Sequence, residues 1–298
     1  MKKLLTTAFI FILGFSTFSY AVDFIVTPEW VKENLGKKDV VIVDVQDKPD
    51  DYEKEHIPQA VKVSRNDDLA KANKQIDNYY YPDAIKFQAL MSKLGITNNS
   101  IVVAYDNKMS LFASRFAAIM DMYGHDINKI KILNGGIAAW KAKGFEVESG
   151  EFKPKKSTYK VGKKKDITVD KNYLLNIVKK KPKDVIILDS RPYNEYTGEN
   201  KRAQRAGFIP GAINVTGSDV INNKDQTFKS VEEIKAAYES KGITPDKTII
   251  TYCHSGDRSA HVYFVLKYML GYDKIKIYDG SWFEWANTPE LPIENINK

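Results

Sequence analysis

Apolar residues along this chain fall into two kinds of run. Short continuous runs close on a polar residue: Val40-Val-Ile-Val before Asp44, Ile101-Val-Val-Ala before Tyr105, Val185-Ile-Ile-Leu before Asp189, and Ile249-Ile250 inside Thr248–Tyr252. Unbroken runs of this length suit strands buried on both faces, the pattern of a parallel sheet. Longer stretches with a helical texture lie between them. Ser114–Tyr123 and Ser259–Leu270 are apolar-rich, and Gly124 and Gly271 close them at the C-cap position. Strands alternating with helices predict an α/β fold built on mainly parallel sheets flanked by helices.

The pattern occurs twice. Val40-Val-Ile-Val-Asp44 returns as Val185-Ile-Ile-Leu-Asp189, and His56-Ile-Pro-Gln-Ala-Val61 returns as Phe208-Ile-Pro-Gly-Ala-Ile213. Gly95-Ile-Thr with Ile101–Tyr105 matches Gly242-Ile-Thr with Thr248–Tyr252. Lys129-Ile-Lys-Ile-Leu-Asn-Gly135 with Trp140 matches Lys274-Ile-Lys-Ile-Tyr-Asp-Gly280 with Trp285. Four blocks in one order mean an internal duplication. The expected division is a first domain over residues 22–148, a basic linker over 149–166 and a second domain over 167–298. The lysines of the linker read as a solvated face.

Duplication supplies a control for chemistry. Aligning Gly95 on Gly242 sets Asp106 opposite Cys253, the only cysteine of the chain. Cys253 ends a strand, and the polar loop His254-Ser255-Gly256-Asp257-Arg258 leads from it into a helix. Such a turn directs backbone N–H groups and the positive end of a helix dipole at one point. An anion is stable there, and a thiolate or persulfide on Cys253 with Arg258 beside it would be that anion. A lone cysteine is more often inert core, but a polar loop ending in arginine is poor core material. Gly256 is read as a backbone position that a side chain would hinder. The first copy lacks the nucleophile and is expected to be scaffold, with substrate in the cleft between the copies.

The N-terminus bounds the compartment. Met1-Lys2-Lys3, the apolar run Leu4–Phe18 and Ser19-Tyr20-Ala21 make a basic, apolar and small-x-small series, which reads as a signal peptide over residues 1–21 cleaved after Ala21. An uncleaved anchor is the alternative. An exported, periplasmic protein is therefore expected. Removing the segment takes away two lysines and no acid, so the formal charge falls from +7 to +5. That suits small anionic substrates, and no aromatic-interleaved basic patch argues for nucleic acid. One cysteine and four scattered histidines exclude an internal disulfide, a CxxC redox pair and recognisable metal-ligand spacing. No cofactor or metal is expected, and the mature protein is expected to be a monomer without stable membrane insertion.

The loop Cys253–Arg258, the block Asp279-Gly-Ser-Trp-Phe-Glu-Trp285 and the block Gly207-Phe-Ile-Pro-Gly-Ala-Ile-Asn214 resemble a tandem-domain rhodanese, a thiosulfate sulfurtransferase, over essentially the whole mature chain. The resemblance implies two rhodanese-like domains, only the second catalytic. It also implies a ping-pong reaction in which the cysteine takes a sulfane sulfur as a persulfide and passes it to cyanide or a thiol. Asp189 and Arg191 border the active loop in such domains, and Arg191 reads equally as a substrate contact or as an ion-pair partner of Glu195. Trp282 and Trp285 read as packing beneath the loop. Phosphatases of similar fold carry their arginine six residues after the cysteine, whereas Arg258 is five after Cys253, a loop sized for sulfur. Glu195 stands where the animal enzymes resemble each other in carrying an arginine, which argues against mercaptopyruvate as donor. The insertion Lys201-Arg-Ala-Gln-Arg205 is the alternative source of positive charge for an anionic donor. A sulfurtransferase for another donor such as 3-mercaptopyruvate, polysulfide or a protein persulfide, a non-turnover persulfide carrier serving a partner protein, and a cysteine phosphatase are the competing readings.

Overall fold

The computed structural model of the protein describes residues 24–73 and 78–296, so the expected export signal lies outside the described residues. In chain order its strands are β1 (Ile25–Val26), β2 (Val40–Gln46), β3 (Val61–Ser64), β4 (Lys71–Asn73), β5 (Asn78–Tyr80), β6 (Ile101–Tyr105), β7 (Ile130–Leu133), β8 (Thr168–Val169), β9 (Val185–Asp189), β10 (Ile213–Asn214), β11 (Thr248–Tyr252) and β12 (Ile275–Tyr278). They form two five-stranded sheets, β1-β7-β6-β2-β3 and β8-β12-β11-β9-β10, with every pairing parallel. The two orders are one topology used twice, as the repeated blocks predict. Even the register is shared: Val40 to Asp44 pair with Ile101 to Tyr105, and Val185 to Asp189 pair with Thr248 to Tyr252. A separate antiparallel ribbon, β4 with β5, interrupts the first copy and delivers Tyr80 and Tyr81 to the second.

After each central strand the chain turns into a helix, Leu111–Met122 in the first copy and Asp257–Phe264 in the second. These two helices pack on each other across the domain boundary. Every residue from Phe112 to Met122 is buried, because that helix has a sheet on one side and the partner helix on the other. Phe116, Ile119 and Met120 share one apolar cluster with Tyr263, Phe264 and Leu266, each such side chain contributing roughly 1.5–3 kcal/mol by leaving water. Polar groups in the seam find partners there: Ser114 Oγ lies 3.2 Å from His261 Nδ1, and Tyr263 donates to Asp121 at 2.8 Å. Among the described residues no helix is long and apolar enough to cross a membrane.

The basic stretch between the copies is extended and bound to the first domain. Ser157 N–H donates to Ser92 O at 2.9 Å, Gly162 N–H to Tyr123 O at 2.8 Å and Lys165 N–H to Met122 O at 2.8 Å. Tyr159 is buried against Phe87 and His125. The lysine pattern hid these contacts, because backbone donors and one tyrosine make them.

The carboxyl ends of β2 and β9 separate the two copies chemically. Asp189 is held by Arg191, whereas the equivalent Asp44 meets only the Gln46 amide and the Tyr105 hydroxyl. Burial without a cation pushes the Asp44 carboxyl up to about 7. The folded chain therefore keeps a proton on Asp44 that the unfolded chain releases near pH 4, and stability falls as pH rises through the window from about 4 to about 7. Replacing Asp44 by Asn should raise the thermal midpoint by several degrees at pH 8 and change it little at pH 4. Melting curves of both proteins at the two pH values check this.

Candidate active site

Strand β11 is buried from Ile249 to Tyr252, and the chain leaves the sheet at Cys253. The Cys253 side chain is 1% exposed. Its Sγ accepts the Gly256 N–H at 3.1 Å, and the Ser259 hydroxyl stands 3.9 Å away. The Cys253 N–H donates to Ser281 Oγ at 3.3 Å, while its carbonyl accepts from Trp282 N–H at 2.8 Å. The sulfur is thus fixed from below by the turn after β12 and faced by donors from its own loop. Gly256 has φ +95°, and a Cβ there would lie 2.6 Å from the Arg115 guanidinium. A side chain at this position would be strained in backbone and in contact alike.

Arg258 reaches over the sulfur. Burial alone would lower its pKa, but the Cys253 sulfur and Glu195 outweigh that and raise it. Its two terminal nitrogens lie 3.3 and 3.5 Å from the Glu195 carboxylate. Arg202 reaches the same carboxylate at 3.0 Å. Burial would raise the Glu195 pKa, and the two guanidiniums more than offset it, so Glu195 is a buried anion. The His254 imidazole rests edge-on to Phe283. Burial, reinforced by Arg202, pushes its pKa down to about 4, so it is neutral around pH 7.

The structure brings Cys253, His254, Gly256 and Arg258 together and gives other predicted residues different work. Arg191 does not pair with Glu195. It grips Asp189 through Nε at 3.0 Å and Nη2 at 2.6 Å, donates to Gly207 O at 2.8 Å and stacks 4.3 Å above Trp282. Asp189 also accepts from the Tyr252 hydroxyl at 2.6 Å. Both members of this ion pair are fully buried and brace the floor of the site, so neither is placed as a substrate contact. Asp257 faces away from the sulfur to bind Arg65 of the first domain, at 2.8 and 2.5 Å. Ser255 turns its carbonyl to the same Arg65. In the basic insertion, Arg205 donates to the carbonyls of Trp285, Ala286, Thr288, Pro289 and Leu291 and ties down the end of the helix Ser281–Ala286. Only Arg202 of that insertion joins the charges around Glu195. Of the insertion expected to supply positive charge for a donor, Arg205 is thus committed to backbone carbonyls and Arg202 is the side chain that stands near Arg258 through Glu195.

The first domain closes one side of the loop, which no local signal in the sequence could reveal. Arg65 holds Ser255 and Asp257. Arg115 lies under Gly256, with its Nε 3.7 Å from Asp257, and Tyr81 N–H donates to Asp279 at 2.7 Å. Asp279 in turn is pushed up to about 6 by burial, with Arg115 opposing. In the first copy the position of Cys253 is held by Asp106, whose two oxygens accept four backbone N–H groups: Lys108 at 2.7 Å, Ser110 and Ala113 at 2.9 Å, and Phe112 at 2.8 Å. An acceptor-only carboxylate thus fills the first cradle. Among the described residues no acid, histidine and cysteine cluster suited to a metal ion occurs.

The family of the Rhodanese-like domain matches twice, over residues 27–143 and 170–288. The chain belongs to the rhodanese-like family. Among its rhodanese-like relatives, the "Sulfur carrier protein TtuD" of Thermus thermophilus is 34% identical over 281 residues, covering 91% of this chain and 96% of the relative. A protein of Mycobacterium bovis named "Putative thiosulfate sulfurtransferase 1" is 33% identical and covers 91% of this chain and 98% of its own. A solved persulfide form of the enzyme EanB with ergothioneine is 25% identical with a TM-score of 0.80, covering 93% of this chain and 71% of that one. Relatives of both carrier and transferase name therefore align over nearly the whole of this two-domain chain.

The bridge to Arg65 generates a test. Arg65→Ala leaves the half-buried Asp257 with Arg115 alone, and should cost roughly 2–4 kcal/mol in urea unfolding. Arg65→Lys should restore part of that, and Tyr173→Ala at an exposed position should stay within about 0.5 kcal/mol of the parent.

Proposed function

We propose that this protein is a sulfurtransferase in which Cys253 takes a sulfane sulfur from thiosulfate or a similar small donor, holds it as a persulfide and delivers it to cyanide or a thiol. The observation that carries the reading is the setting of one sulfur atom: a donor N–H from Gly256 and the Arg258 guanidinium converge on Cys253 at the end of a parallel strand, with Ser259 Oγ bonded to the Gly256 carbonyl and 3.9 Å from the sulfur. In the first half-reaction the Cys253 thiolate attacks the outer sulfur of thiosulfate. The new S–S bond forms as the old one breaks, and sulfite leaves with the electron pair. The terminal sulfur of the persulfide carries the charge that the thiolate had, so the same donors serve both states. An acceptor then removes that sulfur and restores the thiolate. Neither step requires a general base once the thiolate is present, in keeping with a neutral His254 held away from proton exchange by its low pKa of about 4.

A second reading is favoured by the burial of Cys253 at 1% exposure and by the carrier name of one relative. A persulfide shielded from bulk water lasts long enough to be passed to a partner protein. In that case loading with sulfur occurs without turnover of small acceptors. A phosphatase role is disfavoured by the five-residue spacing of Cys253 and Arg258, and a phosphate-ester assay tests it. Export remains part of the proposal on the strength of residues 1–21 alone, and a mature N-terminus at Val22 would support it.

Purified mature protein and Cys253→Ala should be compared for thiocyanate production from thiosulfate and cyanide, with intact mass recorded after thiosulfate alone. A gain of one sulfur atom in the parent and a fall of at least a thousandfold in turnover for Cys253→Ala are expected. Mass gain without thiocyanate would select the carrier reading, and absence of both would remove thiosulfate as donor.

A further inference from the structure

The charges around the sulfur contain a feature that simple anion capture does not require. Arg258, the guanidinium that reaches Cys253, is already paired with Glu195 at 3.3 and 3.5 Å. Arg202 takes the other approach to the same carboxylate at 3.0 Å. Glu195 is only 4% exposed, so its charge acts through little solvent. His254 adds no charge near neutral pH. Arg191 spends its charge on Asp189, and on the first-domain side the two guanidiniums of Arg65 and Arg115 are matched by the two carboxylates of Asp257 and Asp279. Beside the sulfur the ledger is therefore two guanidiniums against one carboxylate, and the Cys253 thiolate brings the sum to zero. A dianion entering this site meets no net attraction, and a buried negative charge stands behind the Arg258 guanidinium.

Resting on the reading of Cys253 as a persulfide-forming nucleophile, we infer that Glu195 is a specificity-determining residue that makes the site favour monoanionic sulfane donors over dianionic ones. The geometry supplies the mechanism. Glu195 holds Arg258 and Arg202 in place and at the same time spends one of their charges, so the charge left over is matched by the thiolate and the donor is best received with as little negative charge as possible. A second charge on the donor is repelled by the carboxylate. The sulfur-transfer step is the same for either donor. With thiosulfate the Cys253 thiolate displaces sulfite. With methanethiosulfonate, in which a methyl group replaces one oxygen, it displaces methanesulfinate. One S–S bond forms, one breaks, and the leaving group departs with the pair of electrons and no proton.

This pair of donors isolates charge from shape. Loading of Cys253 should be followed by stopped-flow and by intact mass, and kcat/KM determined with cyanide as acceptor, for thiosulfate and for methanethiosulfonate. The parent should prefer methanethiosulfonate. Glu195→Gln, which keeps shape and removes charge, should move the ratio of the two constants toward thiosulfate by about tenfold or more. Arg202→Ala, at a side chain 46% exposed and so outside the folding core, should move it the opposite way. A purely structural role for Glu195 would lower both constants together and leave the ratio where it was. Such an unchanged ratio in Glu195→Gln overturns the inference while leaving Cys253 chemistry intact, and so does a shift of equal sign in both variants. Failure of both donors to add sulfur to the parent overturns the underlying reading and the inference with it.

Discussion

A loop of inward-pointing N–H groups at the carboxyl end of a parallel strand is tolerable only if something negative fills it. Both halves of this chain make that loop, and they satisfy it differently. In the first, Asp106 turns its carboxylate onto four backbone amides and closes the matter within the chain. In the second, the equivalent position is a sulfur that accepts Gly256 N–H and sits under Arg258. The difference between the two cradles thus reduces to one side chain at the end of the central strand. A covalently fixed carboxylate satisfies the amides permanently. A thiol satisfies them while remaining able to gain and lose an atom.

Much of this was legible in the sequence, for a physical reason. Unbroken apolar runs such as Val40–Val43 and Val185–Leu188 can only be buried strands, and the glycines after the helical stretches mark where those stretches end. The loop from Cys253 to Arg258 is local, so its residues had to meet whatever the rest of the chain did. The tandem sheets, their parallel pairing and the family followed from these features. The partners of charged side chains were not legible. Arg191 had Glu195 four residues away and chose Asp189 two residues away, because the strand end and the Tyr252 hydroxyl hold that carboxylate beneath it. Asp257 looked like loop lining, yet its partner Arg65 is 192 residues distant. Arg205 looked like a free cation and proved to be a clasp on five carbonyls. Periodicity reports which face of an element is buried and carries no information about which distant group that face meets.

Charge neutrality recurs through the second domain at every level of burial. Asp189 with Arg191, Asp257 with Arg65, and Glu195 with Arg258 and Arg202 each remove a charge that would be costly alone. The first domain departs from the rule at Asp106, which backbone amides alone satisfy, and at Asp44, where Gln46 stands in the place of Arg191.

Arg65, Arg115 and Tyr81 belong to that same half and nevertheless fasten the reactive loop. A substitution in the first copy can therefore alter the geometry around Cys253 without touching its own loop. The rim of one copy is part of the neighbour's wall, so the second copy cut out alone would lose the side chain that holds Ser255 and Asp257.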